Sequence, residues 1–294
     1  MDFSWSTMQE VTQIRMTNRF ICSAAFLIFN LVAGSSPALS ADPSPRDALP
    51  TEYAKIKRIV NRIAKNNDLG SQPLIFTVVP GSYAMTLAAG LGLCDDDNCA
   101  YFGQIDPFRK HGRKIDEILR QNYLYGNIQG WAHSTGTVEI AHQSFRIYGE
   151  REDFLACTVA HELAHVLDNH SFHISKKVSD LSANVTEKEK ELIEAKVSRE
   201  YEVKADQRAF DILRRAGYPD NTCLDELDFL HKISGDGSET SPTDTHPGYS
   251  ERLSALKAHI DASKQVETNQ NEQTEGIWLY KPDMNYLKFS PISR

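Results

Sequence analysis

In "FLACTVAHELAHVLDNH" (154–170) two histidines stand four residues apart, and a glutamate directly follows the first. On a helix, positions i and i+4 lie one turn apart on the same face, so His161 and His165 can aim two imidazoles at one ion. Glu162 falls at the edge of that face. The pattern is H-E-x-x-H, two zinc ligands and a general base. Apolar neighbours at Leu155, Val159, Leu163, Val166 and Leu167 place the segment in a protein interior, where its polar groups need partners.

A catalytic zinc takes three protein ligands and keeps one position open. The segment "SREYEVKADQRAF" (198–210) offers the third: Glu202 can complete a His₂Glu set, and Asp206, one turn on, can hold a ligand histidine by its outer ring nitrogen. Ala205 and Ala209 share that side of the helix and allow close approach to the His161 helix. Other conspicuous residues receive plainer roles. His170 is read as the last turn of the H-E-x-x-H helix, serving its terminal carbonyls. His170 and His173 are not read as a second metal site. Cys157, one turn before His161, reads as a small buried hydrophobe. His133, His142, His231 and His259 carry no partner pattern.

These side chains need elements to position them. Ile56, Ile59, Val60, Ile63 and Ala64 sit at helical spacing, with Gly70 as a stop. "PLIFTVV" (73–79) is a buried strand ended by Pro80 and Gly81. Residues 112–124 form a short helix, and 135–148 read as one or two strands from the alternation around Val138, Ile140 and Phe145. The H-E-x-x-H helix starts near Glu152. Further helices follow at 187–215, 224–233 and 249–260. Two aromatic runs around a Pro-Asp turn in "IWLYKPDMNYLKFSP" predict a hairpin that folds back on the core. The fold class is α+β, mainly helical, with a small sheet beside the H-E-x-x-H helix.

Composition frames the setting. The formal net charge of -8 opposes the basic footprint of a nucleic-acid binder. From Met16, a natural start, a basic residue (Arg19), an apolar run and a small-residue stretch ending at Ser40 follow the plan of a secretory signal peptide. The run is shorter than the roughly 20 residues of a spanning helix. The alternative is an anchor formed by residues 20–34. The expected organisation is a signal peptide (1–40), a metallopeptidase domain (41–262), and a polar linker with a hairpin-like tail (263–294). Beyond residue 40, Cys94, Cys99, Cys157 and Cys223 remain, an even number that permits disulfides in an exported chain. Cys94 and Cys99 either close the polar loop between them or stay free.

H-E-x-x-H followed about 40 residues later by E-x-x-A-D, and then by "THPGYSERLSAL" (245–256), resembles the HtpX-, BepA- and CAAX-prenyl-protease-type zinc metallopeptidases. The resemblance spans roughly residues 51–262. It implies a zincin-like fold, with His161, His165 and Glu202 on zinc and Glu162 as base. It also implies that His246 stabilises the oxyanion or caps the zinc, and that Arg252 steadies His246 or binds substrate. Departures are plain. There are no multiple apolar spans and no TPR-like repeats, the segment carrying Cys94 and Cys99 is enlarged, and "GSYAMTLAAG" (81–90) stands where relatives carry an asparagine-alanine strand, which leaves the substrate edge unassigned.

The expected function is an exported zinc endopeptidase of the cell envelope that hydrolyses unfolded or misassembled polypeptides. Peripheral association with membrane or envelope proteins fits that setting, and no nucleic acid is expected. The rival is a chaperone-like zinc-binding module whose proteolysis His246 restrains. A purely structural zinc protein would leave Glu162 without a reason to be an acid.

Overall fold

The computed structural model describes residues 48–95, 97–234, 238–264 and 273–292. The signal-peptide reading and the anchor at 20–34 lie outside them. The fold is α+β and mainly helical, with one small mixed sheet.

Helix α1 (Thr51–Ala64) buries Ile56, Ile59, Val60 and Ile63, one stripe at helical spacing, together with Tyr53. Strand β1 (Leu74–Val79) turns Leu74, Phe76 and Val78 into the same core. It pairs in parallel with β3 (Thr137–Ala141), in the register Phe76↔Val138 and Val78↔Ile140. Parallel strands need a long crossover. Here it holds α2 (Ser82–Gly90), α3 (Ala100–Gln104), α4 (Arg113–Tyr125) and β2 (Gly130–Ala132). The first three build a second small core from Ala84, Ala88, Phe102 and Ile118, and a Cys94–Cys99 disulfide closes the loop before α3.

Strand β2 is antiparallel to β3 and forms one edge of the sheet. The C-terminal hairpin, β4 (Gly276–Lys281) and β5 (Tyr286–Pro291), docks through β5 on β1, giving the order β2-β3-β1-β5-β4. The hairpin thus folds back on the core, as its aromatic runs imply, and Leu287 and Phe289 are buried there.

Two elements differ from expectation. Residues 142–148 are not a strand: β3 ends at Ala141 and α5 (His142–Tyr148) follows at once. Ile140 and Phe145 are five apart, an odd spacing that no single strand face can bury, whereas Phe145 and Tyr148 share a helix face. Buried Gln143 and Ser144 on α5 find main-chain partners, Gln143 donating to Asn127 O and Ser144 Oγ accepting from Gln129 N. The other difference follows the H-E-x-x-H helix, α6 (Glu152–Leu167). Asn169 adopts the left-handed conformation (φ 50°) and a new helix, α7 (His170–Leu181), begins. Asn tolerates that conformation better than most residues do.

Helix α8 (Glu187–Arg215) opens with a reciprocal capping box between Thr186 and Glu189 and packs along α6. Alanines 160 and 164 on α6, with 205 and 209 on α8, are fully or almost fully buried, so the two backbones come close. Helices α9 (Thr222–Ser234) and α10 (Tyr249–Ser263) complete the helical layer. Cys157 is not a free buried thiol. It forms a disulfide with Cys223, tying α6 to α9 across 66 residues of sequence. No spacing rule could announce that pairing, because both cysteines are isolated in sequence.

Candidate metal centre

His161 and His165 project from α6 towards Glu202 on α8, and this group could hold a metal ion. His161 Nε2 lies 3.1 Å from His165 Nε2 and 3.2 Å from Glu202 Oε2, and His165 Nε2 lies 3.5 Å from Glu202 Oε1. All three side chains are largely buried, so their mutual approach takes place away from bulk water.

The outer nitrogens are held as well. His161 Nδ1 is 3.0 Å from Asp206 Oδ1, and Arg252 on α10 donates to Asp206 through Nε (2.8 Å) and Nη2 (2.6 Å). Arg252 therefore acts here on Asp206, which orients His161. His165 Nδ1 meets His170 Nδ1 at 3.2 Å. His170 opens α7 rather than closing α6, so it does not serve the carbonyls of α6. His173 stacks on Tyr201 at the border of the same region.

Electrostatics follow from burial and contact. Burial raises the Glu202 and Asp206 carboxyls, but facing side chains outweigh it: His246 and His161 hold Glu202 well below the carboxylate range, and Arg252 lowers Asp206 to about 2. Burial lowers His161, yet its hydrogen bonds to Asp206 and Glu202 carry it well above the ordinary histidine value. His165 has no such carboxylate bond, and burial takes it down to about 3. Glu162, only 8% exposed, is raised by burial to about 7.

Glu162 faces edge strand β2. A Cβ added to Gly130 would sit 2.8 Å from Glu162 Oε1, so the glycine is what lets the strand lie over the carboxylate. Neighbouring bonds fix β2. Gln129 Nε2 donates to Ser82 Oγ, and Ser82 N donates to Gln129 Oε1. Gly81, at φ +87°, sits so close to Gln129 and Trp131 that no side chain fits. Residues 81–90 are thus a tight turn and a helix, and the edge beside the site comes from residues 130–132. A three-residue strand with a central tryptophan carries too little alternation to be read from sequence.

His246 lies in the loop before α10. Its side chain is 67% exposed, and its Nε2 is 3.5 Å from Glu202 Oε2. Arg199 Nη1 steadies this loop by donating to Pro242 O and Asp244 O. The remaining histidines have local partners: His111 Nε2 lies 2.7 Å from Asp106 O, His133 lies against Glu139, His142 against Glu52, His259 against Asp211, and His231 stacks on Tyr249. Two disulfides fit an exported protein. Among the described residues no helix is long and apolar enough to cross a membrane. Compared with family models, with curated proteins and with solved structures, the chain matches none.

Proposed function

We propose that the protein is a zinc-dependent endopeptidase acting on extended polypeptide segments. The observation that carries this reading is the convergence of three ligand atoms beside a buried glutamate under an open sheet edge. A tetrahedral shell with bonds of about 2.0–2.1 Å sets its ligand atoms about 3.3–3.4 Å apart. His161 Nε2 lies near that spacing from both His165 Nε2 (3.1 Å) and Glu202 Oε2 (3.2 Å), and His165 Nε2 approaches the other carboxylate oxygen, Oε1, at 3.5 Å. Two imidazoles and a carboxylate also form a ligand set typical of hydrolytic zinc. The likeness of the sequence to HtpX-, BepA- and CAAX-prenyl-protease-type peptidases, with their zincin-like fold, points the same way.

Zinc, when bound, polarises the scissile carbonyl and acidifies water. The chain's own residues do the rest. Strand β2 pairs with β3 on one side only, so an extended peptide adds to its outer edge as a further strand. Gly130 brings that strand against Glu162. As the water oxygen bonds to the carbonyl carbon, Glu162 takes the water's proton. It then passes that proton to the amide nitrogen as the C–N bond breaks. Recognition through main-chain bonds favours unfolded segments, in keeping with misassembled envelope proteins as substrates. Export follows from the plan of residues 16–40, with the mature chain starting near Ala41 or Asp42. Mass spectrometry of the natural protein reads this directly, and a chain that keeps residues 20–34 and sediments with membranes supports the anchor instead.

A peptidase assay on an unfolded protein, with bound metal quantified, tests the reading. Glu162→Gln keeps the shape of the side chain but cannot take the proton. It is expected to retain zinc and lose at least ~100-fold in activity, the scale of a lost general base. Glu202→Ala is expected to lose the zinc. Activity within a few-fold of wild type in Glu162→Gln, or no zinc in the wild type, defeats the proposal.

One observation favours a second reading, a zinc-binding module with restrained proteolysis: His246 sits against ligand Glu202. Under restraint His246→Ala raises peptidase activity. If His246 instead donates to the oxyanion, the same change lowers it.

A further inference from the structure

The two ligand imidazoles are held from behind by different chemistry. His161 Nδ1 meets a carboxylate that Arg252 neutralises. His165 Nδ1 meets another histidine, at 3.2 Å. His170 is only 3% exposed, and its ring stands edge-on to His165 (centroids 4.9 Å, planes at 89°) and to Tyr201 (5.0 Å, 66°). Tyr201 directly precedes Glu202 on α8. His170 is therefore wedged between the helix that carries two ligands and the helix that carries the third. The left-handed turn at Asn169 brings it there by starting α7 one residue later.

We infer that His170 is a positioning residue for the metal centre: its unprotonated Nδ1 accepts the Nδ1–H of His165 and so aims His165 Nε2 at the ion. The inference rests on the zinc reading above. It follows from donor counting. A histidine that binds metal through Nε2 as a neutral ring carries its proton on Nδ1. A buried N–H needs an acceptor, and the only acceptor bonded to this one, among the described residues, is His170 Nδ1. His170 must then carry its own proton on Nε2. Such outer partners fix tautomer and ring orientation, and their loss costs about 10–100-fold in metal affinity.

The full-length protein tests this through zinc affinity, measured by competition with a chelator of known strength, with His165→Ala as the reference for a lost ligand. His170→Phe keeps the ring packing on Tyr201 but removes the acceptor, and it is expected to bind zinc about 10–100-fold more weakly. His170→Asn places Oδ1 where Nδ1 stood, and is expected to stay close to wild type. The split between Phe and Asn is what a merely structural role would not produce. Wild-type affinity in His170→Phe, or equal losses in both variants, overturns the inference. Nitrogen-15 NMR of the zinc-loaded wild type tests it even if a variant misfolds. The expected spectrum shows His170 protonated on Nε2 alone, and a proton on Nδ1 overturns the inference. A wild type that binds no zinc defeats the zinc reading first, a result distinct from any loss confined to His170.

Discussion

Gly130 shows how much of the site is decided by what a residue lacks. With hydrogen in place of Cβ, edge strand β2 lies directly on the Glu162 carboxylate, and an added methyl would stand 2.8 Å from Oε1 and 3.0 Å from Cγ. The backbone of Gly130 is ordinary strand, so alanine brings no φ strain and the conflict falls on Glu162 alone. On the proposed function, Gly130→Ala is therefore expected to lower peptidase activity at least tenfold, since even a 1 Å displacement of a catalytic group can cost about 100-fold. Zinc content is expected to stay at the wild-type level, because the atoms nearest the added methyl all belong to Glu162, which is not one of the proposed ligands. Activity and metal analysis on one preparation check both halves, and zinc loss would place the damage in the ligand set instead. At this scale much was legible in sequence. The spacing in H-E-x-x-H and the acids at Glu202 and Asp206 mark the residues that the fold brings together. Gly130 and His170 were not legible, because nothing local marks a glycine as covered or a histidine as turned inward.

Elements were legible where one period ran long. The buried stripe of α1, the apolar flanks of α6 and the long polar α8 are each repeated over several turns, so tertiary contacts only trim their ends. Short elements were not. Helix α5 took its conformation from buried bonds of Gln143 and Ser144, β2 from the Gln129–Ser82 pair, and α7 from a single residue, Asn169. The Cys157–Cys223 disulfide belongs to this scale as well. It joins α6, one turn before His161, to α9, and closes a loop of 66 residues whose entropy it removes from the unfolded chain. Replacing both cysteines with alanine is expected to cost about 2–4 kcal/mol of stability. Chemical denaturation of the zinc-loaded protein measures it. A loss below about 1 kcal/mol would mean that α6 and α9 are held by their packing alone.

Over the whole molecule, helices beside the candidate metal centre meet at a second buried acid. Glu226 on α9 is 5% exposed and accepts the Tyr148 hydroxyl from α5, with Thr158 of α6 beside it. Burial raises its carboxyl to about 7, and the lowering by the Tyr148 hydrogen bond and by Arg252 does not undo that. Sign matters here. A carboxyl that rises from 4.5 unfolded to about 7 folded binds its proton more tightly in the native state. Its contribution is complete below the unfolded value and is lost as pH climbs through the folded one. A shift of that size corresponds to about 3 kcal/mol across the window. Glu226→Gln keeps an acceptor for Tyr148 and removes the titration. Its melting temperature is therefore expected to match wild type near pH 4.5 and to exceed it near pH 8. Glu162, raised to about 7 as well, remains in both proteins and cancels from the comparison. Thermal melts of the two proteins across that pH range decide the matter. A constant gap at all pH values would show that the amide acts by packing, and that Glu226 stays ionised within the core.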